Sequence, residues 1–198
     1  MGSKERIQRL KEETRTNILD AAYNIVKEQG WQALSMRKIA NEIEYTAPII
    51  YEYFANKAAI LTELNKIGFL LLTKEMRQSR NKHEIPAAQL EAMWMAYWNF
   101  AFQKPELYQL MFGVSMNCCP GQNASEAEGP TNLVLNVIRQ LMDGQNISET
   151  EVYRRYYTFW SIIHGLISIN LVDKGESEEI NRLVLKDAIE GIIKAITS

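Results

Sequence analysis

The sequence predicts an all-α protein of about nine helices. A small three-helix domain at the N-terminus, residues 1–57, is followed by a larger helical domain, residues 58–198. Three observations carry this. Apolar residues recur at helical spacing along almost the whole chain, and no stretch has a convincing strand pattern. Capping residues and glycines punctuate the stripes at the intervals that helix ends require. Residues 35–57 contain two short helical segments divided by a tight bend.

Residues 4–13 are polar and charged, an extension of the first helix or a flexible arm, with Lys4, Arg6, Arg9 and Lys11 as its cations. The first helix proper spans about Thr14 to Gln29. Ile18, Ala21, Ala22, Ile25 and Val26 form its apolar stripe, and Gly30 is a natural stop. A second helix runs from about Met36 to Ile43 behind the N-cap Ser35, and a third from about Ala47 to Phe54 behind Thr46. Pro48 falls in the first turn of that third helix, where a missing N–H costs nothing. Ile39, Ala40, Ile43, Ile50 and Phe54 can face one core. Arg37, Lys38, Tyr45, Thr46, Ala47 and Tyr51 are left on the outward face. This is a helix-turn-helix whose last helix has the size to enter a DNA major groove.

A long helix is expected from Asn56 to about Arg80, with Gly68 as a point of lower stiffness. A segment dense in large residues follows, about Ala87 to Gln103. A short helix, Glu106 to Phe112, comes next, and then a long loop over 113–130. Helix signals resume at Thr131 to Met142, at Glu149 to Val172 behind a Ser148–Glu151 capping box, and at Glu178 to Ile196 behind Ser177.

Composition narrows the function classes. Hydrophobic residues make up 46% and charged residues 23%, ordinary values for a globular chain. No apolar run is long enough to span a bilayer, and the charged N-terminus lacks an apolar signal core, so a cytoplasmic protein is expected. Residues 1–57 hold nine Lys and Arg against eight Asp and Glu. Attraction to phosphate must therefore come from local placement. Cys118 and Cys119 are adjacent and make no disulfide framework; a vicinal-thiol sensor stays open. Only two histidines, His83 and His164, lie far apart, and no nucleophile elbow or phosphate-cradling loop occurs. Neither an enzyme, nor a metal site, nor a cofactor is expected.

The run Ser35-Met36-Arg37-Lys38-Ile39-Ala40, then Thr46, Ile50-Tyr51-Glu52-Tyr53-Phe54 and Asn56-Lys57 resembles the DNA-binding domain of TetR-family regulators. So do Thr14-Arg15, Ile18-Leu19-Asp20-Ala21-Ala22 and Gly30-Trp31 upstream. Two departures stand out: Glu44 where the family usually has Gly in the turn, and Pro48 where it usually has a small residue. The segment Pro105-Glu106-Leu107-Tyr108, Leu110-Met111-Phe112, with Trp160 and His164-Gly165, resembles one subtype of that family's C-terminal domain.

The resemblance implies a homodimer clasped through the last two helices, bound to double-stranded DNA and responsive to a small-molecule effector. The residues agree independently. Tyr156, Phe159, Ile163, Leu166, Ile167 and Leu171, with Ile180, Leu183, Val184, Ile189, Ile192, Ile193 and Ile196, supply more apolar surface than one small domain needs. The DNA candidates are Thr14, Arg15, Ser35, Arg37, Tyr45, Thr46, Ala47, Pro48, Tyr51 and Lys57. In the family pattern the positions of Tyr51 and Lys57 touch phosphate, while residues near the helix start read bases. For an effector pocket the candidates are Trp94, Trp98, Phe102, Met111, Phe112, Phe159, Trp160 and His164, an aromatic wall between helices with one ionisable group. A ligand-responsive repressor that binds a palindromic operator as a dimer and is released by a small apolar or aromatic ligand is the expected function. Two alternatives stay open, a protein-binding helical module and a small helical enzyme acting on an apolar substrate.

Overall fold

The computed structural model describes residues 2–113, 128–142, 148–172 and 175–197. Nine α-helices and no strand occur among them: α1 Ser3–Gln29, α2 Met36–Glu42, α3 Ala47–Tyr53, α4 Lys57–Arg80, α5 Pro86–Gln103, α6 Pro105–Phe112, α7 Glu128–Leu141, α8 Glu149–Leu171 and α9 Glu178–Thr197. The all-α expectation holds. Cys118, Cys119 and most of the expected 113–130 loop lie outside the described residues. Gly129 and Pro130, expected in that loop, instead begin α7, because proline is tolerated in a first helical turn. The charged residues 4–13 are helical and continuous with α1.

The chain divides into two compact units, Met1–Ile67 and Gly68–Ser198, with the division inside α4. In the first unit the α1 stripe Ile18, Ala22, Ile25 and Val26 is buried, with Leu34, Ile39, Ile50, Phe54 and Ile60 closing over it. A turn of 3₁₀ helix, Trp31–Ala33, carries the chain from α1 to α2 after Gly30, whose φ of 76° lies in the region glycine tolerates. Ser35 caps α2 by accepting the Lys38 amide at 3.2 Å. Thr46 holds the N-cap position of α3 with extended backbone, but its hydroxyl makes no cap bond.

The bend between α2 and α3 is a Schellman motif. The Tyr45 amide donates to the Ala40 carbonyl at 2.8 Å and the Glu44 amide to Asn41 at 3.3 Å, the 6→1 and 5→2 pair that closes a helix end. Its geometry needs a left-handed residue, and Glu44 takes that place with φ 58°. This is the position where the family pattern has Gly, so the turn is kept at a backbone cost of roughly 1–2 kcal/mol.

In the second unit α5 lies at the centre, packed against α6, α7, α8 and α9. Leu90, Met93, Trp94, Tyr97, Phe100 and Ala101 are buried on it. Gly68 is explained by close packing rather than by softness: a Cβ there would lie 2.5 Å from Met111 Sδ. At Gly129 a Cβ would lie 2.6 Å from Thr73 Oγ1, which is itself tied to the Phe69 carbonyl at 2.7 Å. Glycine is what lets α7 approach α4 there.

The capping box expected at α8 is half formed. Ser148 Oγ accepts the Glu151 amide at 3.3 Å, but the Glu151 carboxylate turns to Arg154 and Arg155. Where α8 meets α9, Asn170 and Asn181 exchange amide hydrogen bonds. Asn181 Nδ2 donates to Asn170 Oδ1 at 2.6 Å, Asn170 Nδ2 donates back at 3.2 Å, and Asn181 also donates to the Glu176 carbonyl. Phe159, Ile163 and Ile167, expected to contribute to a shared bundle, are buried within their own chain. The large aliphatic residues left exposed on these helices are Ile162, Ile169, Ile180, Leu183 and Val184, with Tyr153 and Tyr157 also exposed on α8.

Candidate nucleic-acid interface and effector cavity

The outward side of the helix-turn-helix is built from turn chemistry. The Schellman bend ends α2 and delivers Tyr45 and Thr46 to the start of α3, where both are exposed. Pro48 is exposed and Ala47 half-buried in the first turn. Tyr51 lies four residues beyond Ala47, on the same face, and is 54% exposed. Arg37 is exposed in the first turn of α2, next to the exposed cap Ser35. A tyrosine so placed offers its hydroxyl to solvent rather than to the core.

The remaining three DNA candidates are engaged within the unit. The Arg15 guanidinium pairs with Glu63 at 2.9 Å and lies 4.4 Å from the centre of the Phe54 ring. The Lys57 ammonium donates to the Trp31 carbonyl at 3.0 Å. The Thr14 hydroxyl donates to the Leu10 carbonyl at 2.9 Å. The first ties α1 to α4, the second ties the start of α4 to the turn after α1, and the third stays within α1.

In the second unit, aromatic residues of α4, α5, α6 and α8 enclose a small cavity of about 40 Å³. Phe69, Trp94, Tyr97, Phe112 and Trp160 line it, with Pro130 and Val134 of α7. A larger chamber of about 230 Å³ shares Phe69, Phe112, Thr131, Tyr156 and Trp160 with it and adds Met111, Tyr153 and Tyr157. Trp94 stacks on Phe159, with centroids 5.7 Å apart and planes 15° from parallel.

Behind the wall is a polar cluster. Tyr97 and Tyr108 hydroxyls lie 3.0 Å apart, and His164 Nδ1 lies 2.5 Å from the Tyr108 hydroxyl and 3.4 Å from that of Tyr97. His164 stacks on Trp160 at 4.7 Å. Burial pushes both phenols above the ordinary tyrosine range and pushes the imidazole below the ordinary histidine range, so all three are held neutral. Thr131 and Tyr156 satisfy each other at 2.9 Å. The Trp94 indole N–H is buried with no acceptor among the described residues.

Of the effector candidates, Trp94, Phe112, Trp160 and Met111 line the two chambers. Phe159 supports Trp94 from behind, and His164 reaches the cavity through the tyrosines. Trp98 and Phe102 go elsewhere, their rings tilted against each other in a cleft beside Asn170, Asn181 and Arg182. Phe69, Tyr97, Tyr108, Tyr156, Tyr153 and Tyr157 were missed by sequence reasoning. The signal for Tyr97 and Tyr108 was their place in the same aromatic segments as the chosen residues. Nothing in the local pattern of α4 singles out Phe69.

The fold and its exposed reading helix define a helix-turn-helix regulator of transcription with a separate helical sensor. Residues 18–64 match the model for bacterial regulatory proteins of the tetR family, and residues 90–181 match that for the tetracyclin repressor-like C-terminal domain. The chain belongs to the TetR family. A stretch of 52 residues is 36% identical to the uncharacterized HTH-type transcriptional regulator YdeS of Bacillus subtilis (strain 168), covering 26% of each protein. The curated relative is thus matched over about a quarter of its length. Among solved structures, a protein of unknown function from Rhodococcus sp. RHA1 superposes with a TM-score of 0.79 at 22% identity, over 93% of this chain and 95% of that one. Thermus thermophilus FadR, a TetR-family repressor in complex with lauroyl-CoA, gives 0.63 at 16% identity, over 92% of each chain. Both likenesses concern the fold.

Proposed function

We propose that this chain is a cytoplasmic, homodimeric repressor that binds a near-palindromic operator and is released by a small apolar or aromatic effector. The observation that carries the reading is the exposed set Arg37, Tyr45, Thr46, Pro48 and Tyr51 on an otherwise well-packed helix-turn-helix. Tyr51 contacts phosphate, and Tyr45, Thr46 and Ala47 meet base edges, the Ala47 methyl suiting a thymine methyl. Thr14, Arg15 and Lys57 act at the backbone, after exchanging the contacts they make here. The second copy covers Ile162, Ile169, Ile180, Leu183 and Val184 of α8 and α9, setting two reading helices in successive major grooves. The effector site is the aromatic pair of chambers. FadR binds lauroyl-CoA, but the chambers here favour a compact ligand over a long acyl chain. Effector binding shifts the dimer toward a spacing that DNA cannot accept, with α4 carrying the change; a coupling of about 1–3 kcal/mol suffices.

The test begins with selection of genomic fragments by the purified protein, followed by anisotropy titration of the recovered duplex at several salt concentrations. Affinity falls linearly on a log–log plot against salt as phosphate counterions are released. Arg37→Ala lowers that slope by about 1 if Arg37 meets a phosphate, and Tyr51→Phe weakens binding by about three- to tenfold. A salt-independent or undetectable duplex affinity sinks the DNA reading and favours the protein-binding module.

A further inference from the structure

We propose that the effector is an uncharged, flat apolar molecule with one carbonyl-type oxygen, and that the Trp94 indole N–H and the Tyr97 hydroxyl anchor that oxygen. This rests on reading the second unit as the effector sensor, and deepens it to the chemistry of the ligand.

Three observations converge. First, Trp94 borders the cavity and is 1% exposed, and its N–H is the one buried side-chain donor of this unit left without a partner among the described residues. A buried donor is costly to leave unpaired, and a ligand acceptor removes that cost on binding. Second, among the described residues no Asp, Glu, Lys or Arg lines either chamber. A carboxylate or an ammonium would therefore enter without a counter-charge, whereas a carbonyl would not suffer for the lack of one. Of the other hydroxyls, Thr131 and Tyr156 already pair with each other, and Tyr153 and Tyr157 belong to exposed side chains that water solvates.

Third, the Tyr97–Tyr108–His164 chain can run in either direction. With His164 Nδ1 as acceptor, Tyr108 donates to it and Tyr97 donates to Tyr108. With the proton on Nδ1, His164 donates to Tyr108, Tyr108 donates to Tyr97, and the Tyr97 hydroxyl is released to donate into the cavity it lines. A neutral imidazole changes tautomer without changing charge, so this second donor is made available without creating a buried ion. Aromatic faces from Phe69, Phe112 and Trp160 then sandwich the flat body of the ligand.

The experiment titrates the full-length protein, without DNA, by calorimetry with three probes of similar shape. These are acetophenone, α-methylstyrene, in which a methylene replaces the carbonyl oxygen, and benzoate. Acetophenone should bind about tenfold tighter than α-methylstyrene, the worth of a good hydrogen bond to a buried donor, and benzoate should bind more weakly than acetophenone. In W94F the acetophenone preference should fall several-fold, to what the Tyr97 hydroxyl alone supplies, while α-methylstyrene affinity stays. In ¹⁵N-indole spectra of the wild-type protein, one tryptophan N–H resonance should move downfield with acetophenone only.

Equal affinities for the two neutral probes overturn the proposal, as does tightest binding of benzoate, or no binding of any probe up to its solubility. A preference left undiminished in folded W94F also overturns it. If W94F does not fold, the wild-type ratio and the indole spectrum decide. Because no DNA is present, loss of operator binding leaves these readouts unmoved, and the two readings fail separately.

Discussion

The two units solve opposite problems. The first keeps its proposed DNA contacts outside: its core is small and mostly aliphatic, and Tyr45 and Tyr51 are held in solvent by a closed turn. The second keeps its proposed effector contacts inside, where Trp94, Tyr97 and Phe112 are both wall and core. A surface reader can change an exposed side chain with little effect on folding. A buried sensor cannot, because each wall residue also bears packing.

Four measurements sharpen or break that contrast. The largest effect is expected at Phe159, fully buried and stacked on Trp94. Phe159→Ala should destabilise the protein by about 3–5 kcal/mol in urea unfolding, through lost burial and the void left behind. A loss close to zero would mean that the wall stands without its support. Next is Gly129→Ala, whose methyl meets a Thr73 hydroxyl already committed to Phe69; a loss of roughly 1–3 kcal/mol should appear in the same assay.

In the reader, Glu44→Gly works the other way. Relief of the left-handed φ should raise stability by about 1 kcal/mol, after the extra chain entropy of glycine is subtracted. A drop in melting temperature would show that the Glu44 side chain contributes something the backbone account omits.

The smallest effect concerns pH. Burial depresses the folded pKa of His164, so the unfolded chain binds that proton more readily. The His164 contribution is complete above about pH 6.5 and declines as pH falls through that value toward the folded pKa. Thermal melts between about pH 8 and pH 5.5 should show this decline. His164→Gln should flatten it, and an unchanged slope would assign the proton elsewhere.

The reader was legible in the sequence because capping and turn residues act locally. Ser35, Gly30 and Asn56 mark ends that the structure keeps, and Asn56 Oδ1 accepts the Ala59 amide at 2.9 Å. Residues outside the apolar stripe then face solvent by default. Partners across the unit were not legible: nothing near Arg15 in sequence announces Glu63, and nothing near Lys57 announces the Trp31 carbonyl.

In the sensor, helical periodicity identified the aromatic segments but not their destinations. Trp94, Trp98 and Phe102 form an i, i+4, i+8 row, which drifts about 40° around the helix at each step. Phe102 is therefore turned about 80° from Trp94, enough to leave the cavity for another cleft. The i+3 neighbour Tyr97 joins Trp94 instead. A similar slippage exchanged the expected Phe159 and Ile163 for Ile162 and Ile169 as the exposed apolar residues of α8. Such choices depend on which neighbours arrive, and α4, α6 and α7 are distant in sequence.

The amide exchange between Asn170 and Asn181 has a consequence for how the last two helices behave. Each carboxamide completes the other, so sliding one helix by a single turn would strand the buried Asn181 amide and the half-buried Asn170 amide at once. Alternative offsets are thereby penalised together, and α8 and α9 travel as one plate. Whatever rests against Ile169 on one helix and Leu183 on the other meets a fixed pattern, so in the proposed dimer the fit between two copies would be decided before they collide.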